Sequence, residues 1–140
     1  MGEETVTVRE LIRRSRKAVL DHDREGWLAL WAPDAVIQDP VGPSPFDPEG
    51  NGHHGPEGIA EFYDKVIGPN ERITFEISDS YDCGNDVADV GLIRTVLPGG
   101  THIAIVHGVF TYRSNGKGQL AGMRAYWEFS KAEVVEAEQS

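Results

Sequence analysis

The sequence predicts an α+β domain in which three N-terminal helices pack on a curved, mostly antiparallel sheet. Two observations carry this. Apolar residues recur at three- and four-residue steps before Gly68-Pro69 and alternate with a period of two beyond it. The helical segments come first, with one short strand among them, and four strands joined by tight turns follow, which is the order of an α+β chain. The length of 140 residues suits one core and leaves no room for a second.

From Val8 to His22, the apolar or small residues Val8, Leu11, Ile12, Ser15, Ala18 and Val19 form one helical stripe. Arg9, Arg13, Arg14, Arg16 and Lys17 fall largely elsewhere and read as a solvated face. Asp23 can N-cap a second, short helix with Trp27, Leu30 and Trp31 on one face, ended by Pro33-Asp34. Ala35 to Asp39 reads as a short strand stopped by Pro40, which has no amide to give to a ladder. Residues 40–55 hold four prolines and four glycines, a long loop of the kind that serves as a lid or binding loop.

Pro56 suits the first turn of a third helix carrying Ile59, Phe62, Tyr63, Val66 and Ile67 at helical spacing, with Gly68-Pro69 as its stop. Ile73, Phe75 and Ile77 then alternate in a strand; Gly84-Asn85-Asp86 turns the chain, and Val87 to Leu97 returns. After Pro98-Gly99-Gly100, Thr101 to Tyr112 and Leu120 to Phe129 form two more strands joined around Asn115-Gly116. One domain is expected over residues 1–130, with 131–140 as a frayed tail. On the strand from Thr101, both parity sets are substantially apolar: Ala104, Val106, Gly108, Phe110 and Tyr112 on one side, Ile103, Ile105, His107, Val109 and Thr111 on the other. A half-exposed antiparallel sheet alternates cleanly, so a second subunit is expected on the outer face, making a homodimer.

Charge excludes whole classes of partner. With 23 acidic against 13 basic residues the net charge is −10, and the long-range field repels phosphate backbones and anionic membrane surfaces. Neither nucleic acid nor membrane is an expected partner. Met1-Gly2-Glu3-Glu4 lacks the basic and apolar regions of a signal peptide, and no run approaches the roughly 18 apolar residues of a membrane span. The expectation is a soluble cytoplasmic protein. Val6 stands where the myristoylation pattern needs Ser or Thr, and Cys83 is the single cysteine, so no intrachain disulfide can form.

Several motifs fail their context. Gly50-Asn51-Gly52-His53-His54-Gly55 matches a dinucleotide fingerprint by letter, but a proline-rich loop precedes it where a buried strand is required. Asp47-x-Glu49-x-Asn51-Gly52 resembles the start of a calcium loop, yet Gly58 occupies the position of the bidentate Glu. The five histidines show no metal-ligand spacing, so no metal site is expected. Asp39 differs from these. It is an ionisable residue at the end of an apolar strand, opening into the long loop, and reads either as a turn-capping carboxylate or as a general base at a cavity mouth.

The segment Ala35-Val-Ile-Gln-Asp-Pro-Val-Gly-Pro-Ser-Pro45 resembles the active-site segment of bacterial ketosteroid isomerases. Gly58-Ile-Ala-Glu-Phe-Tyr63, Val109-Phe-Thr-Tyr112 and Met123-Arg-Ala-Tyr-Trp127 extend the match, in order, over most of residues 8–130. These looser motifs recur across the nuclear transport factor 2-like, or SnoaL-like, superfamily. The pattern His22-Asp-Arg-Glu-Gly-Trp-Leu-Ala-Leu30 and the longer loop are similar to actinobacterial, mycobacterial-type members. The resemblance implies a cone-shaped, cystatin-like α+β fold, a dimer, no cofactor, and an apolar pocket for a flat polycyclic ligand. It also implies that Asp39 moves a proton from carbon 4 to carbon 6 of a 3-keto-Δ5-steroid.

In that family, an Asp base works with an oxyanion hole made of a Tyr and a protonated Asp. Alignment places Ser15 at the tyrosine and Gly108 at the protonated Asp, so both standard donors are replaced. Ser15 and Tyr63 are the candidate substitutes. Phe62, Gly108, Phe110, Met123 and Trp127 are the expected pocket wall, and the missing side chain at Gly108 is expected to deepen it. Two other classes stay open: a non-catalytic lipophile-binding protein, and a polyketide cyclase-like enzyme on the same fold.

Overall fold

The computed structural model describes residues 6–137. The N-terminal segment read above for a leader and the last three residues of the expected tail lie outside them.

The first helix, α1 (Val8–Leu20), buries Val8, Leu11, Ile12, Ser15, Ala18 and Val19, the stripe that its periodicity specifies. Thr7 caps it, its Oγ1 accepting from the Glu10 amide at 3.1 Å. In α2 (Arg24–Leu28), Asp23 caps as expected, accepting from the Gly26 amide at 2.9 Å. This helix is shorter than its apolar face suggested. The chain is already extended at Trp31 and runs on as β1 (Trp31–Gln38), through Pro33.

The long loop is internally tied rather than open. Asp47 accepts from the amides of Asn51 and Gly52 at 3.2 and 2.8 Å, which spends on a turn the carboxylate that gave the calcium-like pattern. His53–His54 forms a two-residue strand, β2, beside Ile37 and Val36 of β1. The third helix, α3 (Gly55–Phe62), has Pro56 in its first turn and passes into a π turn over Tyr63–Ile67, closed by the Gly68 amide on the Tyr63 carbonyl.

The remaining strands are β3 (Arg72–Asp82), β4 (Asp86–Val96), β5 (His102–Ser114), β6 (Leu120–Tyr126) and β7 (Glu133–Glu136). The sheet order is β2-β1-β6-β5-β4-β3; only β1 and β6 run parallel, and β7 pairs with β5. The expected frayed tail is thus corrected over Glu133–Glu136, where β7 pairs with His102–Ile105 on the edge of β5 that β6 has left. Backbone pairing supplied what the exposed side chains of this segment could not.

Gly91 of β4 pairs with Gly108 of β5. A Cβ at Gly91 would lie 2.1 Å from the Glu76 carbonyl oxygen, and one at Gly108 2.2 Å from that of Tyr126. The register of β3 also breaks here, between Ile77 and Asp79. This row is where the sheet folds over on itself, and only glycine lets neighbouring backbones approach so closely. The inner face of the curl meets α1, and the core between them includes the fully buried Leu11, Ile37, Ile59, Phe110 and Leu120.

Candidate functional site

Between the helices and the inner face of the sheet lies a cavity of about 430 Å³. That is within the usual range of small-ligand pockets, about 300–1,000 Å³. Its wall is largely apolar, from Val19, Ile37, Phe62, Ile73, Phe75 and Met123 among others. The π turn contributes Val66 and Ile67, and β7 contributes Val134. At Phe46, Trp127 and Phe129 an aromatic cluster joins the long loop to the chain after β6, with ring centroids 5.2 and 6.2 Å apart.

Asp39 follows β1 and lines this cavity, half-buried. Its carboxylate accepts a 2.6 Å hydrogen bond from Trp127 Nε1. Loss of hydration pushes its pKa up from the ordinary 3.8 to about 6, and the Trp127 bond offsets only part of that. A carboxyl poised there is ionised at neutral pH yet basic enough to accept a proton from carbon. Replacing Trp127 by Phe removes the offsetting donor, so the pH midpoint of any Asp39-dependent reaction is expected to rise above about 6. A pH–rate profile checks this, since a loss of packing alone would lower the rate without moving the midpoint.

Of the other predicted residues, Ser15, Phe62, Met123 and Trp127 line the cavity. Ser15 Oγ accepts from Trp27 Nε1 at 3.1 Å and keeps its own O–H as a donor. Three expectations are corrected. Tyr63 is buried against Trp27, with ring centroids 5.3 Å apart, and is not part of the cavity wall. Burial raises its hydroxyl pKa, and Asp23, Arg24 and Asp64 are the charges that act on it, so it faces the α2 side. Phe110 is fully buried one layer behind the wall, edge-on to Phe75 at 5.7 Å. Gly108 does not deepen the pocket, because the backbone of Tyr126 occupies the space a side chain would fill.

Sequence reasoning missed Arg16 and Tyr112. Arg16 does not join the solvated basic face: it lines the cavity, its Nη2 2.8 Å from Asp89 Oδ2 and its Cζ 4.4 Å from the Phe75 ring centroid. Its spacing, four after Ile12 and three before Val19, was the available signal. Tyr112 is buried in the wall, and burial pushes its pKa up to about 12; the Arg16 cation opposes this and Asp39 adds to it. Tyr112 is therefore a neutral O–H donor within the electrostatic reach of Asp39. Two buried donors, Arg16 Nε and Trp31 Nε1, have no acceptor among the described residues.

The family model for the SnoaL-like domain matches residues 12–129. The chain belongs to this family. No curated protein sequence matches it. Among solved structures, this SnoaL-like domain is similar to the Δ5-3-ketosteroid isomerase from Mycobacterium sp., at 35% identity and a TM-score of 0.85, over 93% of this chain and 100% of that one. RV0760c from Mycobacterium tuberculosis, in complex with estradiol-17β-hemisuccinate, is 36% identical with a TM-score of 0.82, over 90% and 97% of the two chains. A computationally designed 17-OHP binder is 32% identical with a TM-score of 0.84, over 91% and 98%. Among the described residues, no three His, Cys, Asp or Glu side chains gather as a metal site, and no helix is long and apolar enough to cross a membrane.

Proposed function

We propose that this SnoaL-like domain binds a steroid or similar flat polycyclic ketone and that Asp39 isomerises it by proton transfer. The observation that carries the reading is one carboxyl, raised to about 6 and fixed by Trp127, inside an apolar cavity of ligand size. The similarity to a ketosteroid isomerase and to a steroid complex supports the substrate class.

With a 3-keto-Δ5-steroid, the Asp39 carboxylate takes a proton from carbon 4. The C–H electrons form the carbon 3–carbon 4 double bond, and negative charge moves to the carbonyl oxygen. The protonated Asp39 then returns the proton at carbon 6, which restores the carbonyl and leaves the conjugated enone. No electrons leave the substrate, so the reaction needs no redox partner. Ser15 and Tyr112 offer neutral O–H donors to the developing oxyanion. Incubation with 5-androstene-3,17-dione tests the reading by the growth of enone absorbance, which must depend on Asp39.

A second reading, a lipophile-binding protein without turnover, draws on the backbone that fills the place of a donor at position 108. Saturable steroid binding with no enone formed would select it.

The reading includes a cytoplasmic homodimer joined through the outer sheet face. Val109 and Tyr126 pair across β5 and β6 on that face, 36% and 43% exposed. A large apolar pair left in water favours a covering partner. Sedimentation equilibrium is expected to give a dimer for the wild type and a monomer for Val109→Glu/Tyr126→Glu; a wild-type monomer would reject the dimer.

A further inference from the structure

Behind Tyr112, one of the donors named above, runs a line of polar contacts that the proton transfer itself does not use. Arg9 Nη2 donates to Ser80 Oγ at 3.1 Å, and the Ser80 hydroxyl donates to Asp89 Oδ1 at 2.6 Å. The other carboxylate oxygen of Asp89 accepts from Arg16 Nη2 at 2.8 Å. Asp89 and Tyr112 share the inner face of the sheet as diagonal neighbours, because Val87 pairs with Tyr112 and Asp89 with Phe110. Arg16, from α1, lies against this face, its Cζ 4.4 Å from the Phe75 ring centroid and 5.8 Å from that of Tyr112. Only 6% of the Asp89 side chain and 24% of the Arg16 side chain are exposed. An ion pair so placed gives the fold little that well-packed apolar side chains would not. Its value lies in what it does to Tyr112.

Burial raises the Tyr112 pKa, and Arg16 opposes this both as a charge and as a hydrogen-bonding partner. A guanidinium has donors only, so the Tyr112 oxygen is the acceptor in that contact and its O–H is left for a group in the cavity that Tyr112 lines. The same cation makes the O–H more acidic than burial alone would leave it, and a more acidic O–H holds a developing oxyanion more strongly. We propose that Arg16, held by Asp89 and Ser80, is a positioning residue for the isomerisation: it acts through Tyr112, turning the Tyr112 O–H to the enolate oxygen, and does not itself touch the ligand. The inference rests on the proton-transfer reading above. Asp89 fixes the guanidinium plane and Phe75 packs against it, so the donor is in place before charge develops on the substrate.

The test is a double-mutant cycle on enone formation from 5-androstene-3,17-dione. Tyr112→Phe removes the hydroxyl and keeps the ring. Two changes disable Arg16: Arg16→Lys, which keeps a cation for Asp89 without a fork that reaches Tyr112 as well, and Arg16→Met/Asp89→Asn, which leaves neither charge buried alone. Tyr112→Phe is expected to lower kcat by about 10²-fold. Each Arg16 variant is expected to lower kcat about tenfold with KM within about twofold of wild type, on the scale of couplings inside one hydrogen-bond network. In the Tyr112→Phe background the same Arg16 changes are expected to alter kcat by less than about twofold, since the group they act through is gone. A merely structural Arg16 would loosen the pocket in either background, so losses that multiply overturn the inference. So does full turnover in Tyr112→Phe, or wild-type kcat in either folded Arg16 variant. These outcomes leave Asp39 and the isomerase reading standing. If the wild type forms no enone, that reading falls, and this inference with it.

Discussion

Asp39→Asn is expected to lower the rate of enone formation from 5-androstene-3,17-dione by on the order of 10²–10⁴, the usual contribution of a positioned general base. The amide oxygen can still accept from Trp127 Nε1, so the pocket keeps its shape and steroid affinity is expected to change little. The loss should therefore fall on turnover rather than on binding. In the wild type, kcat/KM is expected to rise with pH to a plateau above about 6, because only the carboxylate accepts a proton and burial sets its pKa there.

Stability moves in the opposite direction to activity. Folding raises the Asp39 pKa from 3.8 to about 6, so the folded protein holds this proton more tightly than the unfolded chain. The stability gained is fully present below about pH 4 and is lost as pH rises through 6. Above that, the ionised carboxylate is a destabilising group, and converting the gap at about 1.4 kcal/mol per pH unit gives at most about 3 kcal/mol. Asp39→Asn is thus expected to unfold at higher denaturant concentration than wild type at pH 8 and to lose that advantage at pH 4. Equilibrium urea unfolding at the two pH values checks it. Equal midpoints at pH 8 would show that Asp39 is not strained by burial, and would remove the physical basis for its role as base.

What the chain shows before folding depends on how local the cause is. The α1 stripe and the Asp23 cap arise within one or two helical turns, and both were legible. The place of Asp39, after an apolar strand and before a proline, was legible, while its role as a base was implied only by the resemblance. The pairing of Trp127 with Asp39 spans 88 positions and rests on β1 and β6 running parallel, which no local pattern encodes. Arg16 is hidden for a different reason: a charged side chain ordinarily signals exposure, yet a helix position beside the apolar stripe can turn inward when a buried carboxylate waits for it. The tail was misread because β7 is held by backbone bonds, to which its exposed side chains give no clue. At Gly108, the resemblance implied an absent acidic side chain and gave no sign of the Tyr126 backbone that lies there.

That replacement makes Gly108→Asp the most disruptive single change we expect. It would introduce the acidic side chain that the resemblance to ketosteroid isomerases implies for this position, and a protein that had merely lost a catalytic group should tolerate it. Here the new Cβ would fall 2.2 Å from the Tyr126 carbonyl oxygen and 3.1 Å from Trp127 Cβ. Neither contact can be relieved by rotating a side chain. Relief requires the end of β6 to move away from β5, breaking the Val109–Tyr126 pairing and displacing Trp127 from Asp39. Overpacking typically costs about 1–3 kcal/mol, and a clash against backbone lies at the upper end, so a loss of about 3 kcal/mol is expected. Gly108→Ala carries the same Cβ without the carboxylate and should lose nearly as much, which separates the steric cause from buried charge. Thermal unfolding of both variants checks this, and wild-type stability in Gly108→Ala would mean that β5 and β6 are not so close. Should Gly108→Asp fold and isomerise rapidly, the backbone can yield at this row, and the glycine reflects lost catalysis rather than the curvature of the sheet.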